Sequence, residues 1–285
     1  METPEIGLGC ANLLQASLPE LIDVATNSGF RRITARPYTF AAALANGWSE
    51  DALRQQLALA GIEVTMIDAL THVLPGVQPP ESLDPETRAV MPPDVLHPPT
   101  EEAVFRSAEV LGASIVNVTH YLGVPVPIEQ LAEAVAGVCR RARERGLTIA
   151  LEFIPDTGLP TLPVTQAVIE ACGEPNCGLT LDVFHLDRSD GTVEDVRRLP
   201  PDAIAGVQIS DRIRPPAGSA HVPFQGRCLP GEGRLPLRDL MCAAFENSPG
   251  ATLDIEVLNA DLSSLPIDDA AARLAAAARS WLATW

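Results

Sequence analysis

Four short β-rich runs in the second half of the chain constrain its fold more than any other feature. They read TIALEF, GLTLDVF, IAGVQIS and ATLDIEV, at residues 148–153, 178–184, 204–210 and 251–257. Each run is mostly apolar and rich in β-branched residues, which is typical of parallel strands buried on both faces. Each also carries a side chain with a ligand-type oxygen near its C-terminal end, namely Glu152, Asp182, Gln208 and Glu256.

Four further strand-like runs precede these and alternate with helical patterns. They lie at residues 6–10, 31–35, 63–68 and 114–120. Helix boundary signals separate them: Ser17 and Ser49 stand where N-caps are expected, and Gly29 and Gly61 stand where the helices should end. Eight strands that alternate with helices predict an α/β fold, a (β/α)8 TIM barrel that forms a single domain over residues 1–285.

Two long loops interrupt this alternation, at about residues 69–99 and 212–235. The first contains eight prolines, so a helix is not expected across most of it, and the second is rich in proline and glycine. Connections of this length in a compact domain usually form lids or binding loops. Because each follows a predicted strand, we expect both loops to lie over the catalytic face of the barrel.

The strand-end oxygens predict a metal site. The C-terminal ends of the strands in such a barrel meet at one face, which is where these enzymes place their active sites. Four oxygen ligands suit one divalent cation such as Mn²⁺, Mg²⁺ or Co²⁺, and three carboxylates packed together without a cation would repel one another. The alternative is four unrelated polar strand ends, each capping a loop or pairing with an arginine.

Composition narrows the function further. The formal net charge of −17 disfavours nucleic acid as a partner, which includes the DNA-repair endonucleases that share this barrel. All twenty basic residues are arginine, so a Schiff-base mechanism through lysine is excluded and a metal is the obvious means of activating a carbonyl.

No apolar run has the length of a membrane span, and the N-terminus lacks a signal-peptide pattern. We therefore expect a cytoplasmic protein. A homo-oligomer stays possible.

The six cysteines suggest no metal site by their spacing. None form a CxxC pair, and none stand at zinc-ligand spacing with a histidine. We therefore expect most of them to be small buried apolar side chains in a reducing compartment.

Five motifs give the chain a resemblance to a known family. They are LEFIP, LDVFHL, GVQISD, RCLPGEG and DIEV, at residues 151–155, 181–186, 206–211, 227–233 and 254–257. With these motifs the chain resembles the sugar phosphate isomerase/epimerase family, the xylose-isomerase-like barrels. The resemblance implies that Glu152, Asp182, Gln208 and Glu256 bind one divalent metal. It also implies that Glu152 and Glu256 act as acid and base, with His185 beside the metal and Arg227 on the substrate.

The resulting expectation is a divalent-metal-dependent isomerase or epimerase. Its substrate would be a keto-sugar or a related polyhydroxy carbonyl compound, converted through a metal-bound enediolate. Besides Arg227, the candidate substrate contacts are His72 at the start of the first long loop, His120 at the end of the fourth strand and Arg36 at the end of the second.

Two alternatives stay open. One is a lyase of the 3-dehydroshikimate dehydratase type, because some dehydratases in this barrel group resemble the chain in having glutamine where most epimerases have histidine, here at Gln208. The other is a non-catalytic barrel subunit, since a fold alone never establishes a function.

Overall fold

The computed structural model describes residues 3–82, 85, 88, 93–121, 123–213 and 226–285. The barrel strands are β1 Gly7–Leu8, β2 Arg32–Ala35, β3 Glu63–Leu70, β4 Ile115–Val118, β5 Thr148–Glu152, β6 Cys177–Asp182, β7 Ile204–Ile209 and β10 Thr252–Ile255. These eight parallel strands close into a barrel in the order β1-β10-β7-β6-β5-β4-β3-β2, so the TIM barrel prediction is confirmed. Two short strands, β8 Asp211–Arg212 and β9 Arg227–Cys228, pair antiparallel outside the barrel.

Helices surround the barrel between the strands. The longer ones are Leu18–Ser28, Pro37–Ala45, Glu50–Ala60, Glu101–Leu111, Ile128–Arg143, Leu162–Cys172, Leu237–Asn247 and Ile267–Leu282. The shorter ones are Cys10–Leu13, Pro80–Ser82, Pro93–Leu96, Val183–Arg188, Val193–Arg197 and Ala260–Ser263. None of the helices in the described part of the chain combines the length and the apolar character that crossing a membrane requires.

The predicted helix boundaries follow from capping chemistry. Ser17 accepts a hydrogen bond from the backbone N–H of Glu20, whose carboxylate accepts from Ser17 in return, which is a capping box. Gly29 and Gly61 end their helices in the left-handed conformation, at φ values of 86° and 64°, which glycine adopts without steric cost.

Two local features differ from the sequence expectation. The strand predicted over residues 178–184 ends at Asp182, because the Asp182 carboxylate accepts the backbone N–H groups of Phe184 and His185, at 2.7 and 3.3 Å, and so starts the helix Val183–Arg188. The helix Pro37–Ala45 was not expected after β2. It begins with proline at its first position, which suits the first turn because that residue needs no N–H donor.

The two long loops contain more regular structure than expected, as far as they are described. β3 continues to Leu70, and the helices Pro80–Ser82 and Pro93–Leu96 lie within residues 69–99, of which 83–84, 86–87 and 89–92 lie outside the described residues. In the second loop β8 pairs with β9, and residues 214–225 lie outside the described residues. Both loops start from the C-terminal end of a barrel strand, as predicted.

The barrel interior is filled below its C-terminal face. Met66, Ile115 and Ala150 form a separate apolar cluster inside the barrel, away from the main core between strands and helices. A Cβ atom added at Gly206 would stand 2.5 Å from the Cε atom of Met66, so the end of the Met66 side chain would have to move to admit a larger residue there. The cluster closes the barrel beneath the polar strand ends.

Candidate metal and acid–base site

The four predicted ligands lie on neighbouring strands at the C-terminal face. Glu152 ends β5, Asp182 ends β6, Gln208 lies in β7, and Glu256 directly follows β10. Asp182 stands opposite Gln208 in the register of β6 and β7, and the backbone N–H of Glu256 donates to Ile209 O at 2.9 Å. All four side chains are buried. The structure thus brings the four together, in the order β10, β7, β6, β5 around the barrel.

Arg227 reaches into the middle of this group from β9. Its guanidinium donates through Nη2 to Asp182 Oδ2 at 2.5 Å and through Nη1 to Asp182 Oδ1 at 3.2 Å. Nη1 also lies 3.2 Å from Ser210 Oγ and 3.3 Å from Glu256 O, and the guanidinium carbon stands 4.3 Å from the centre of the Phe184 ring. This planar, two-point contact is the geometry in which arginine binds a carboxylate most specifically.

The pKa values of the three carboxyl groups shift in different directions, depending on how close each group lies to Arg227. Burial alone would raise the pKa of Asp182, but the charges of Arg227 and His185 and the hydrogen bonds outweigh it, so this pKa is lowered. The pKa of Glu152 is raised well above its ordinary value by burial and by the charges of Asp68 and Glu256. Burial likewise raises the pKa of Glu256 strongly, although Arg227 acts against it. Without a cation, burial therefore disfavours the ionised form of Glu152 and Glu256, whereas Arg227 favours the ionised form of Asp182.

A hydrogen-bonded amide supports Glu152 from below. Asn117 on β4 donates through Nδ2 to Glu152 Oε2 at 2.6 Å and to Asp68 Oδ1 at 2.8 Å. Its own oxygen accepts from Thr180 Oγ1 at 2.9 Å, which fixes the orientation of the amide. Asn117 therefore holds two neighbouring acids in place with a neutral donor.

His185 borders the same group from the helix that Asp182 caps. Its Nε2 atom lies 3.6 Å from Glu152 Oε1, 3.6 Å from Asp182 Oδ2 and 3.4 Å from Arg227 Nη2. One ligand atom each of Glu152, Asp182 and His185 lies within 4.8 Å of the others, which is close enough to share one cation.

The donor set fits a divalent metal. Gln208 Oε1 is buried and has no hydrogen-bond partner among the described residues, so an amide oxygen is available in the cluster. Carboxylate, amide and imidazole donors are ligands that Mn²⁺, Co²⁺ and Zn²⁺ accept. The burial of three acids against one arginine also favours an additional positive charge.

The other three predicted substrate contacts lie just after the C-terminal ends of β3, β4 and β2. His72 Nδ1 is 2.7 Å from Thr71 Oγ1, and burial lowers the pKa of His72. His120 is fully buried, with its Nε2 atom 2.9 Å from Pro75 O. Arg36 is buried at the start of the helix Pro37–Ala45, with its guanidinium carbon 5.8 Å from the centre of the Tyr38 ring. None of the three has a described hydrogen bond to the predicted metal ligands, and their roles stay predictions.

Comparison with known proteins identifies the family. A family model described as the xylose isomerase-like TIM barrel matches residues 22–285. The chain belongs to this family. The family match begins within the helix Leu18–Ser28 and runs to residue 285, so it includes every residue of the site described above.

Individual relatives are more distant. An inosose isomerase of Halalkalibacterium halodurans is 24% identical over 170 residues, which cover 55% of this chain and 60% of that protein. A 3-dehydroshikimate dehydratase of Pseudomonas aeruginosa is 26% identical over 137 residues, which cover 48% of this chain and 22% of that protein. The aligned part of the chain thus spans less than two thirds of either curated relative.

Solved structures of the same fold include the IolI protein with a bound zinc atom. It superposes with a TM-score of 0.79 at 17% identity, and the match covers 99% of both chains. At this identity the likeness shows the shared barrel.

Sequence reasoning missed three residues of the site. Asp68 lies at the end of the strand predicted over residues 63–68, so it gave the same signal as the four ligands. Asn117 is a polar residue inside an apolar strand, which alternation points toward the barrel interior. Tyr121 gave no signal in the sequence. Burial and then the charges of Glu152 and Glu256 raise the pKa of its phenol strongly, which places the side chain near both glutamates.

Proposed function

We propose that this protein is a divalent-metal-dependent isomerase or epimerase that acts on a keto-sugar or a related polyhydroxy carbonyl compound. The observation that carries the proposal is the arc of strand ends at the barrel mouth. Glu256 on one side and Glu152 on the other flank Gln208 and Asp182, because β7 and β6 separate β10 from β5. A flat substrate held between the two glutamates would present opposite faces to two buried carboxyl groups.

The residues that would hold the metal are Glu152, Asp182, Gln208 and Glu256, with His185 as a neighbouring donor. A divalent cation bound there polarises a substrate carbonyl and acidifies the adjacent C–H group. The zinc atom of the structurally similar IolI protein supports a metal in this fold.

The two glutamates supply the proton transfers. One carboxylate removes the proton from the carbon beside the carbonyl, which leaves an enediolate, and the other carboxyl group returns a proton. Return to the opposite face of the same carbon gives epimerisation, whereas return to the neighbouring carbon gives aldose–ketose isomerisation. A substrate hydroxyl that enters the cluster would meet the guanidinium of Arg227, which is held in place by Asp182 and Ser210.

A dehydratase is the second candidate, and one observation favours it. Position 208 carries an amide, which cannot shuttle protons as an imidazole does. Loss of a β-hydroxyl after proton abstraction needs one acid on the leaving oxygen, which either glutamate could supply. The similarity to a 3-dehydroshikimate dehydratase supports this candidate, and the similarity to an inosose isomerase supports the first.

The test is an exchange experiment in D₂O with the Mn²⁺-loaded protein. Ketoses, inososes and 3-dehydroshikimate are incubated separately, and mass spectrometry follows each compound. We expect the gain of one deuterium, with the formula otherwise unchanged, for one class of keto-sugar or inosose. The variant Glu152→Gln should lose net conversion of that compound, whereas Glu129→Gln, which removes an exposed carboxylate, should keep it.

Each other result has a definite meaning. Loss of water from a substrate would replace the isomerase by the dehydratase. No change in any compound, together with no binding of Mn²⁺, would favour a barrel without catalysis.

A further inference from the structure

Three cysteines converge at the end of the barrel opposite the proposed active site. Cys139 lies in the helix Ile128–Arg143, Cys172 ends the helix Leu162–Cys172, and Cys177 begins β6. Their three sulfur atoms all lie within 4.8 Å of one another. Cys172 and Cys177 stand in a C-x4-C spacing, which zinc ligands can have, whereas Cys139 comes from a separate helix. Cys139 is also buried in the apolar core, as expected for most of the cysteines, and the other two pack against it.

We infer that Cys139, Cys172 and Cys177 form a second metal site, a three-thiolate centre for a thiophilic divalent cation such as Zn²⁺. Thiolates bound to one tetrahedral zinc ion at about 2.3 Å each stand about 3.8 Å apart. The three sulfur atoms here, all within 4.8 Å of one another, need only a small shift to reach that arrangement. Three protein ligands leave one position of a tetrahedral ion for water or for a neighbouring carboxylate.

The surroundings favour thiolate and a bound cation. The pKa of Cys172 is lowered to about 3, because the Cys139 and Cys177 thiols and the backbone N–H of Glu174 hydrogen bond to its sulfur and Arg140 lies nearby. The pKa of Cys139 is raised to about 12, chiefly by its hydrogen bond with Cys172. Binding of a cation would release the remaining thiol protons, because the thiolate is the form of cysteine that binds a metal.

The backbone around the cluster is held in place. Asn176 donates through Nδ2 to Cys139 O at 2.8 Å and to Leu147 O at 2.9 Å, and Cys177 N donates to Glu174 O at 3.1 Å. Cys172 also ends its helix, where the partial negative charge of the helix favours a bound cation. Arg140 and Arg143 both pair with Glu174, at 3.1 and 2.5 Å, and so keep positive charge beside a centre of three thiolates.

The cluster is accessible and separate from the first site. Cys172 and Cys177 are half-buried, so an ion can reach them. Cys177 and Asp182 lie at opposite ends of β6, roughly 16 Å apart at the usual rise per strand residue. Occupation of one site can therefore be measured without the other, and the inference does not rest on the proposed function.

The test is a titration of the reduced full-length protein with Co²⁺, followed by absorption in the near ultraviolet. Thiolate ligands give an intense charge-transfer band, whereas the oxygen and nitrogen donors at the barrel mouth do not. We expect a band that saturates at one Co²⁺ per chain and disappears when Zn²⁺ is added. With Zn²⁺ bound, X-ray absorption should show sulfur neighbours at about 2.3 Å.

The paired variant Cys172→Ser and Cys177→Ser should fold, as judged by circular dichroism, and lose the band. Cys242→Ser, which changes a half-buried cysteine on another helix, should keep it. Absence of the band in the folded, reduced wild type would overturn the inference. Persistence of the full band in the paired variant would do the same, because the thiolate would then belong to another cysteine.

Discussion

The side-chain amide of Gln208 donates its N–H to Glu256 Oε1 across 3.4 Å. This contact fixes the orientation of the amide, so its oxygen Oε1 lies on the other side, buried and without a hydrogen-bond partner among the described residues. A buried acceptor without a donor costs about 1–3 kcal/mol, and a bound cation removes that cost. The Gln208 amide would therefore serve both proposed roles of the cluster. Its N–H group donates to Glu256, the proposed acid or base, and its oxygen would bind the metal.

Replacement of Gln208 by leucine should therefore weaken metal binding. The variant Gln208→Leu keeps a similar volume but removes both the oxygen ligand and the hydrogen bond to Glu256. We expect the affinity for Mn²⁺ to fall by roughly 10-fold or more, as for other losses around a metal site. Calorimetric titration measures this, with Gln130→Leu on an exposed helix face as the control. Equal affinity in Gln208→Leu and wild type would show that the amide is not a ligand.

Arg227 should stabilise the metal-free protein. It is the cation that faces Asp182 and Glu256 in the buried cluster, and Arg227→Gln leaves these acids without it. Removal of one partner of a buried ion pair typically costs roughly 3 to 5 kcal/mol. We expect a loss of this size in the free energy of unfolding in urea with a chelator present, and a partial recovery with saturating Mn²⁺.

The matched control is Arg234→Gln, which removes an exposed arginine a few residues away. If Arg227→Gln unfolds at the same urea concentration as Arg234→Gln, the ion pair contributes nothing to stability. Failure of Mn²⁺ to restore stability would argue that metal and arginine do not compensate the same acids.

The architecture could be predicted from the sequence, whereas much of the site could not. Alternating strand and helix patterns, the N-caps Ser17 and Ser49 and the closing glycines gave the barrel, because these signals are local. Asp182 was expected within a strand, but its carboxylate caps the helix that follows and so sets where His185 lies. The strand-end residues converge because the barrel closes, which also explains why Asp68 belongs to the group.

Side-chain contacts between distant segments were beyond the sequence. Arg227 was expected on the substrate, and the structure shows it bonded to Asp182 because β9 pairs with β8 next to the end of β7. Tyr121 and the cluster of Cys139, Cys172 and Cys177 depend in the same way on which helices and loops pack together. Only the C-x4-C spacing of Cys172 and Cys177 lies within one segment, and it gives no indication of Cys139 or Tyr121.

The two glutamates should have separable roles in proton exchange. If Glu152 and Glu256 serve opposite faces of the substrate, Glu152→Gln blocks removal of the proton from one epimer only, and Glu256→Gln blocks it from the other. Net epimerisation should fall by roughly 10²- to 10⁴-fold in both variants. Each variant should still exchange the proton of one epimer with D₂O at saturating Mn²⁺, which proton NMR detects. Loss of exchange with both epimers in both variants would rule out two independent bases.

Acid should destabilise the protein through His120. The ring lies between two glycines, since a Cβ atom added at Gly123 or Gly158 would stand 2.3 and 2.1 Å from its nitrogen atoms. Burial lowers the pKa of His120 below its ordinary value of 6.5, although the hydrogen bond with Pro75 O acts against this. The unfolded chain therefore binds a proton that the folded protein rejects, so the stability due to neutral His120 is present above about pH 6.5 and is lost as the pH falls below it.

The measurement is the free energy of unfolding in urea at several pH values between about 5 and 8, where histidine titrates. Wild type should lose stability toward the acid end, and His120→Gln should lose less over the same range, because glutamine takes up no proton. His97→Gln, which changes an exposed histidine between β3 and the helix Glu101–Leu111, should follow the wild-type slope. A slope in His120→Gln as steep as in wild type would mean that another histidine carries the acid sensitivity. A large rise in KM for His120→Gln would support the predicted contact between His120 and the substrate.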